Sequence, residues 1–334
     1  MRKQFRPWVT GILGIGLGFA GTVWAQSPAP AWPAQPVRIV VPFSAGGPAD
    51  LTARVVADEM GKQLGRTFIV DNRSGAGGVT GTAFVASAPK DGHTVLLTTT
   101  SLTYLKALGV KTTFDPEEDL VPVGLVGTTT SILIVNNDFP AKTLPEVIAL
   151  VRANPGKYNY GSAGIGSAMH FSFERVLATA GGLQVTHVPY RGGGGTMMTD
   201  IMSGQVQMAT DPASSTMPFL ARNNVRAIAV MSGKRLSTLP NVPTFRESGL
   251  PEFKDFESIG WYMMLVPSGT PPAIVAKINE ALRNAVQSPT VQKRFAEANL
   301  EVPANNTPEN TARLLSNDIK SASELAKRLN LKAN

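Results

Sequence analysis

RIVVPFSAGGPADLTARVVADEMGKQL, Arg38–Leu64, is the stretch on which the fold turns. RIVV reads as a short buried strand. LTARVVADEMGKQL places Leu51, Val55, Val56, Met60 and Leu64 at helical spacing. FSAGGPAD, Phe43–Asp50, is the glycine-rich turn between them. Such a turn brings backbone N–H groups up to something negative. It has no GxGxxG and no GKS or GKT, so the two familiar nucleotide fingerprints do not apply.

The same plan occurs four times: apolar strand, glycine-rich loop, helix. After the first unit come TFIV–DNRSGAGG–VTGTAFVASA (Thr67–Ala88), YNY–GSAGIGS–AMHFSFERVLATA (Tyr158–Ala180) and VTHVPY–RGGGG–TMMTDIMSGQV (Val185–Val206). Ser167 is positioned to N-cap the third helix. Strands alternating with helices imply mainly parallel sheets. Two extended apolar stretches, Leu120–Asp138 and Phe256–Pro272, are candidates to cross between two lobes. AIVAKINEALRNAVQ follows the second, with Ile274, Ile278, Leu282 and Val286 on one face. The chain's tail is expected to return to the first lobe. The expected lobes are residues 33–126 with 250–334, and residues 127–249.

The N-terminus reads as a leader. Arg2, Lys3 and Arg6 precede an apolar run of about 15 residues, too short for the roughly 20 that a membrane span needs. Val23 and Ala25 then suit a cleavage site, so residues 1–25 are expected to be a secretory signal peptide. Removing its three basic residues leaves 28 Lys and Arg against 24 Asp and Glu, a net charge of about +4. No basic run or aromatic-interleaved basic patch occurs, so nucleic acid is not an expected partner. Cysteine is absent, which excludes a Cys nucleophile and thiolate metal sites.

Ligands of open α/β sheets sit beyond the carboxyl ends of the strands. Two such edges face to face would make a cleft of backbone N–H groups and helix N-termini, able to hold a carboxylate without any arginine. Each glycine cluster alone is equally a tight turn; four in equivalent places point to a shared anion cleft. Catalytic signatures are missing. There is no GxSxG, and the one SxxK, Ser87–Lys90, contains proline. His93, His170 and His187 lack metal-ligand spacing. His187 reads as structural; His170 either touches a ligand or packs. Asp50 caps its helix or reaches the cleft, and Asp211 either contacts a ligand or starts the turn at Pro212. No catalytic residue, metal or cofactor is assigned.

PVRIVVPFSAGGPADLTAR, VDNRSGAGGVTGTAFVASAPKDGHTVLL, NYGSAGIGSAMHFSFE, VTHVPYRG with DIMSGQV, and RAIAVMSGKRLSTLPNVPTFRESGLPEF together resemble the Bug family, the periplasmic substrate-binding proteins of tripartite tricarboxylate transporters. They run in the family's order over the chain beyond the leader. The resemblance implies a two-lobed type II periplasmic binding protein fold, α/β, closing on a small carboxylate held mostly by backbone N–H groups, hydroxyls and water. Carried onto this chain, it yields as candidate ligand residues Phe43, Ser44, Ala45, Gly46, Gly47, Asp50, Ala76, Gly77, Gly78, Thr99, Thr100, Ser162, Ala163, Gly164, Gly166, Ser167, His170 and Asp211. Phe43, Tyr104 and Trp261 are candidates for an apolar wall. The chain departs from the family at Ala45 (usually proline), at His93 (usually tyrosine) and at Gly193–Thr196, where a Pro-Ala pair is usual. The implied function is periplasmic capture by a monomer of a small organic carboxylate, a di- or tricarboxylate or a related acid, with a small dicarboxylate favoured. Delivery is to a membrane permease or, alternatively, to a membrane sensor protein; an enzyme is not expected.

Overall fold

The computed structural model describes residues 1, 4, 32–190, 194–302, 304 and 306–332. The expected leader lies almost wholly outside the described residues, as do Arg191–Gly193 of the fourth glycine loop. No helix among the described residues is long and apolar enough to cross a membrane.

The first unit forms as its spacing predicts. Strand β1 (Val37–Val41) leads through the glycine loop into helix α1 (Pro48–Leu64). Pro48 starts the helix, where its missing N–H costs nothing, and Gly65 ends it in a left-handed conformation. β2 (Phe68–Asn72), a 3-10 turn over Ala76–Gly78, α2 (Val79–Ala86), β3 (Thr94–Thr99) and α3 (Ser101–Ala107) follow. Then β4 (Leu120–Val135) runs for 16 residues. Beyond it come α4 (Leu144–Ala153), β5 (Asn159–Ser162), α5 (Ala168–Thr179), β6 (Thr186–Pro189), α6 (Gly194–Met202), β7 (Met208–Pro212), α7 (Ala213–Ala221) and β8 (Arg226–Val230). The chain ends with β9 (Ile259–Pro267), α8 (Pro272–Gln287), α9 (Pro289–Glu297) and α10 (Pro308–Arg328).

The strands lie in the order β2-β1-β3-β9-β4-β7-β5-β6, with β8 also on β4. β4 joins two halves: Leu120–Thr130 pair with β9, and Ser131–Val135 pair with β7 and β8. Within the strand–helix units the pairing is parallel, β1 with β2 and β3, β5 with β6 and β7. β4 and β9 run antiparallel to every neighbour. The strands of the units are parallel to one another, as expected, and the sheets are mixed because β4 and β9 run against them. Of the two expected crossing strands only β4 pairs with both halves; β9 pairs with β3 and with the first part of β4. An apolar run carries no mark of strand direction.

Alternation in β1 shows how the first half is layered. Val37, Ile39 and Val41 belong to a core with Val56 and Met60 of α1 and Ile278 and Leu282 of α8. Val40 belongs to the opposite core, with Leu102 and Leu105 of α3 and Leu315 and Ile319 of α10. The tail thus packs on the first half, as expected. The second half has its own core, where Leu133, Tyr160, Phe173 and Val147 meet. Ile278, Leu282 and Val286 of α8 are fully buried, each contributing roughly 1.5–3 kcal/mol.

Candidate functional site

The carboxyl ends of β1, β3, β5 and β7 all open onto one cavity of about 60 Å³. Five helices begin at its walls. Pro48 and Ala49 start α1; Ser101 starts α3; Ala168 and Met169 start α5; Gly194 starts α6; Pro212 is the N-cap of α7. The first-turn amides of a helix have no intrahelical acceptor, and the aligned peptides put about half a positive charge at each N-terminus. Thr99, Thr100, Thr129, Ser131 and Ser167 add hydroxyl groups, and Phe43, Trp261 and Tyr262 supply rings. Among the described residues no lining residue is charged, and the helix N-termini favour an anion in the cavity.

Two glycine loops shape this field. Gly46 sits at φ +79°, and its N–H donates to Asp50 Oδ2 at 2.8 Å. Asp50 is 2% exposed. Burial works against its charge, but hydrogen bonds from Arg54, Gly46 and Asn72 outweigh burial and hold the carboxyl below its usual range. Arg54 reaches it at 2.9 Å. Gly166 sits at φ +80°, and its N–H donates to His170 Nδ1 at 3.3 Å. Ser167 caps α5, its Oγ accepting from His170 N–H at 3.3 Å. Ser162 Oγ accepts from Gly164 N–H at 3.1 Å and stands 2.7 Å from His187 Nε2.

Behind the second loop, four rings form a column. Phe173 stacks on Tyr160 at 4.0 Å, Tyr160 on His187 at 4.7 Å, and His187 on His170 at 4.3 Å between centroids. Burial lowers both histidines to about 4, and for His187 the neighbouring His170 adds to it. Both rings are neutral near pH 7. His170 accepts at Nδ1, so its proton is on Nε2.

The loops also touch. A side chain on Gly77 would place its Cβ 2.1 Å from the Ile165 carbonyl oxygen. Gly77, at φ +65°, is therefore glycine for two reasons: conformation and close approach. Ala168 N–H donates to Ser101 Oγ at 2.9 Å, and Tyr262 Oη lies 3.0 Å from Ser214 Oγ.

Of the candidate residues, Phe43, Ser44, Gly47, Thr99, Thr100, Ala163 and Ser167 line the cavity. Ala76, Gly77, Gly78 and Gly164 line an adjoining cavity shared with Phe43, Ser44 and Ala163. Ala45 and Gly46 belong to the first loop but line neither, and Asp50, Ser162, Gly166 and His170 act by holding the loops. Asp211 lies just behind the wall at Gly194 and Pro212. Its Oδ2 accepts from Ser215 and Thr216 hydroxyls, both at 2.6 Å, while burial raises it to about 6. Of the candidate aromatics, Phe43 and Trp261 line the cavity; Tyr104 instead stacks on Phe171. Ser87 of the SxxK donates to the Ala83 and Phe84 carbonyls.

Sequence reasoning missed Ser101, Thr129, Ser131, Gly194, Gly260 and Tyr262. Ser101 had a signal, since it follows Thr99 and Thr100 at the end of a strand. Thr129, Ser131, Gly260 and Tyr262 of β4 and β9 had none, because an apolar crossing strand does not show which of its residues face a cleft. Among the described residues no group of three or more His, Cys, Asp or Glu is placed to hold a metal ion.

Comparison with known proteins gives this geometry relatives. Residues 52–331 match the model of the tripartite tricarboxylate transporter family receptor. The solved structure of the periplasmic binding protein BugD is 34% identical, with a TM-score of 0.86 over 90% of this chain and 99% of that one. MatC of Rhodopseudomonas palustris, solved with bound malate, is 32% identical, with a TM-score of 0.84 over 88% and 99%. R. palustris Rpa4515, solved with adipate, is 29% identical, with a TM-score of 0.85 over 90% and 99%.

Proposed function

The chain belongs to the tripartite tricarboxylate transporter receptor family, a family of periplasmic solute-binding proteins, and from that premise we propose that it captures a small dicarboxylate in the five-helix cavity and hands it to the permease of such a transporter. One observation carries this reading: five helix N-termini converge on a cavity that, among the described residues, no charged side chain lines. Carboxylate oxygens accept charge-assisted hydrogen bonds from first-turn amides, and the low dielectric of a closing cleft strengthens each bond. The relatives solved with malate and with adipate bind dicarboxylates.

Residues 33–126 with 250–334 form one lobe of this proposal and residues 127–249 the other. Closure turns about β4, the strand that pairs with both halves. Binding occurs in the periplasm after removal of residues 1–25, by a monomer and without turnover of the ligand.

Thermal shift measurements against malate, succinate, adipate and their diamides at fixed salt test it. A ligand at 100 times its dissociation constant adds about 2.7 kcal/mol of stability. Stabilisation by one diacid and not by its diamide is the expected result. Equal stabilisation by acid and amide, or none by any carboxylate, refutes the anion reading.

A further inference from the structure

Behind the cleft lies a second cavity, of about 250 Å³, which shares Thr100 with the first and opens to solvent at the exposed Ser321. Trp261 stands between them. Its ring lines the front cleft, and its Nε1–H donates at 2.7 Å to Asp318, which lines the rear one. Phe171 and Arg175 reach the rear cavity from α5, Thr103 and Tyr104 from α3, and Asp318 from α10.

Three of its polar groups, Arg175, Asp318 and Thr103, are only partly partnered or unpartnered among the described residues. Arg175 donates Nη1–H to the Glu257 carbonyl at 2.7 Å and lies over the Phe256 ring, yet it has no carboxylate partner among the described residues. Glu257 is committed to Arg246 at 2.5 Å. Among the described residues Asp318 has no cationic partner, and the Trp261 indole is its one hydrogen-bond donor. Thr103 is 1% exposed, and its Oγ1 has no hydrogen-bond partner. Arg175 and Asp318 both line the one chamber, and Tyr104 lines it beside them. Partly buried charges and hydroxyls left this way ask for partners of their own.

We propose that this rear chamber is a second binding site, and that it takes a small zwitterionic amino acid whose carboxylate meets Arg175 and whose ammonium meets Asp318. A bare anion satisfies Arg175 but is repelled by Asp318, and a bare amine meets the reverse. A zwitterion matches both and leaves the chamber neutral. Thr103 and Tyr104 offer hydroxyls to its polar ends, while Phe171, Ile259 and Leu325 accept a small apolar body.

Isothermal titration of the purified protein with L-alanine, β-alanine and γ-aminobutyrate tests this, first alone and then with malate in excess. The three probes vary the spacing between the charges. One of them is expected to bind one-to-one, with or without malate, and propionate and propylamine are not expected to compete. Arg175→Met and Asp318→Asn should each weaken it about tenfold. Asp318→Asn keeps an acceptor for the Trp261 indole. Thr103→Val, which removes one hydroxyl, gives a second measure should Arg175→Met fail to fold; a several-fold loss is expected. No saturable binding of any probe at roughly 10 mM overturns the proposal. So does displacement by malate, which would put the amino acid in the front cleft, or binding that the substitutions leave unchanged.

Discussion

The loop at Gly46 and the loop at Gly166 are built to one plan with different chemistry. Both glycines have nearly the same positive φ. Each donates its N–H to the side chain four residues on, which is the third residue of the following helix. In the first loop that side chain is a carboxylate, with Arg54 beside it to offset the charge. In the second it is a neutral imidazole inside a column of rings. A lone buried carboxylate this close to the cavity would oppose any anion entering it. One loop neutralises its holder with a cation; the other uses a holder with no charge. What the two halves share is backbone geometry, and the acceptor is free to differ so long as the local charge stays near zero.

Acid should separate the loops most. His170 and His187 have folded values near 4, below the ordinary 6.5, so the unfolded chain takes up protons first. Their contribution is present above about pH 6.5 and is lost as pH falls towards 4, on the order of 3 kcal/mol for His170. Asp50 behaves otherwise: its folded value lies below 3.8, so its contribution is lost only as pH falls through that lower range. Urea midpoints at pH 7, 5.5 and 4.5 should decline steadily, and His170→Gln should flatten the decline. A level profile in the parent protein would erase the distinction. Next in size is a matched pair of substitutions. Gly166→Ala meets Leu105 Cδ2 at 2.7 Å as well as an unfavourable φ and should destabilise by about 3 kcal/mol. Gly46→Ala meets nothing within 4 Å and should cost about 1 kcal/mol for φ alone. Equal losses in thermal melts would mean that the second loop is not the more tightly packed one.

Asp50→Ala should destabilise by about 2 kcal/mol, chiefly by leaving the Gly46 N–H without its acceptor. The ion pair adds little, because the Arg54 side chain is 53% exposed. Chemical denaturation of Asp50→Asn, which keeps an acceptor, should recover most of the loss. Ser101→Ala has an effect as small as that of Gly46→Ala. It removes the acceptor of the Ala168 N–H and should cost about 1 kcal/mol, read as a loss of thermal stability without ligand. An unchanged melt would mean that this bond does not help to hold the ligand-free form.

The four strand–loop–helix units were legible because each carries local signals: an apolar run, glycines, then helical spacing. The Ser167 cap was legible for the same reason. Strand direction was not. Nothing in LVPVGLVGTTTSILIV says that it runs against its neighbours, since its partners lie 73 positions away (Val135 with Met208) to 147 positions away (Leu120 with Pro267). The glycine loops were found, but not that Gly77 and Ile165 would meet, nor that His170 and Asp50 would do the same work. The rear chamber was invisible for a related reason. Arg175 and Asp318 sit on helices far apart in the chain, and only the fold brings them to one wall.

That no charged side chain among the described residues lines the front cleft has an evolutionary consequence. The attraction of its helix N-termini for anions comes from peptide groups, which a substitution to anything but proline leaves in place. The residues that set size and shape, among them Phe43, Thr129, Met169 and Trp261, are side chains that mutation can exchange one at a time. Such a cleft can drift from one acid to another through intermediates that all still bind acids. A lineage built this way diversifies by altering the walls while inheriting the charge.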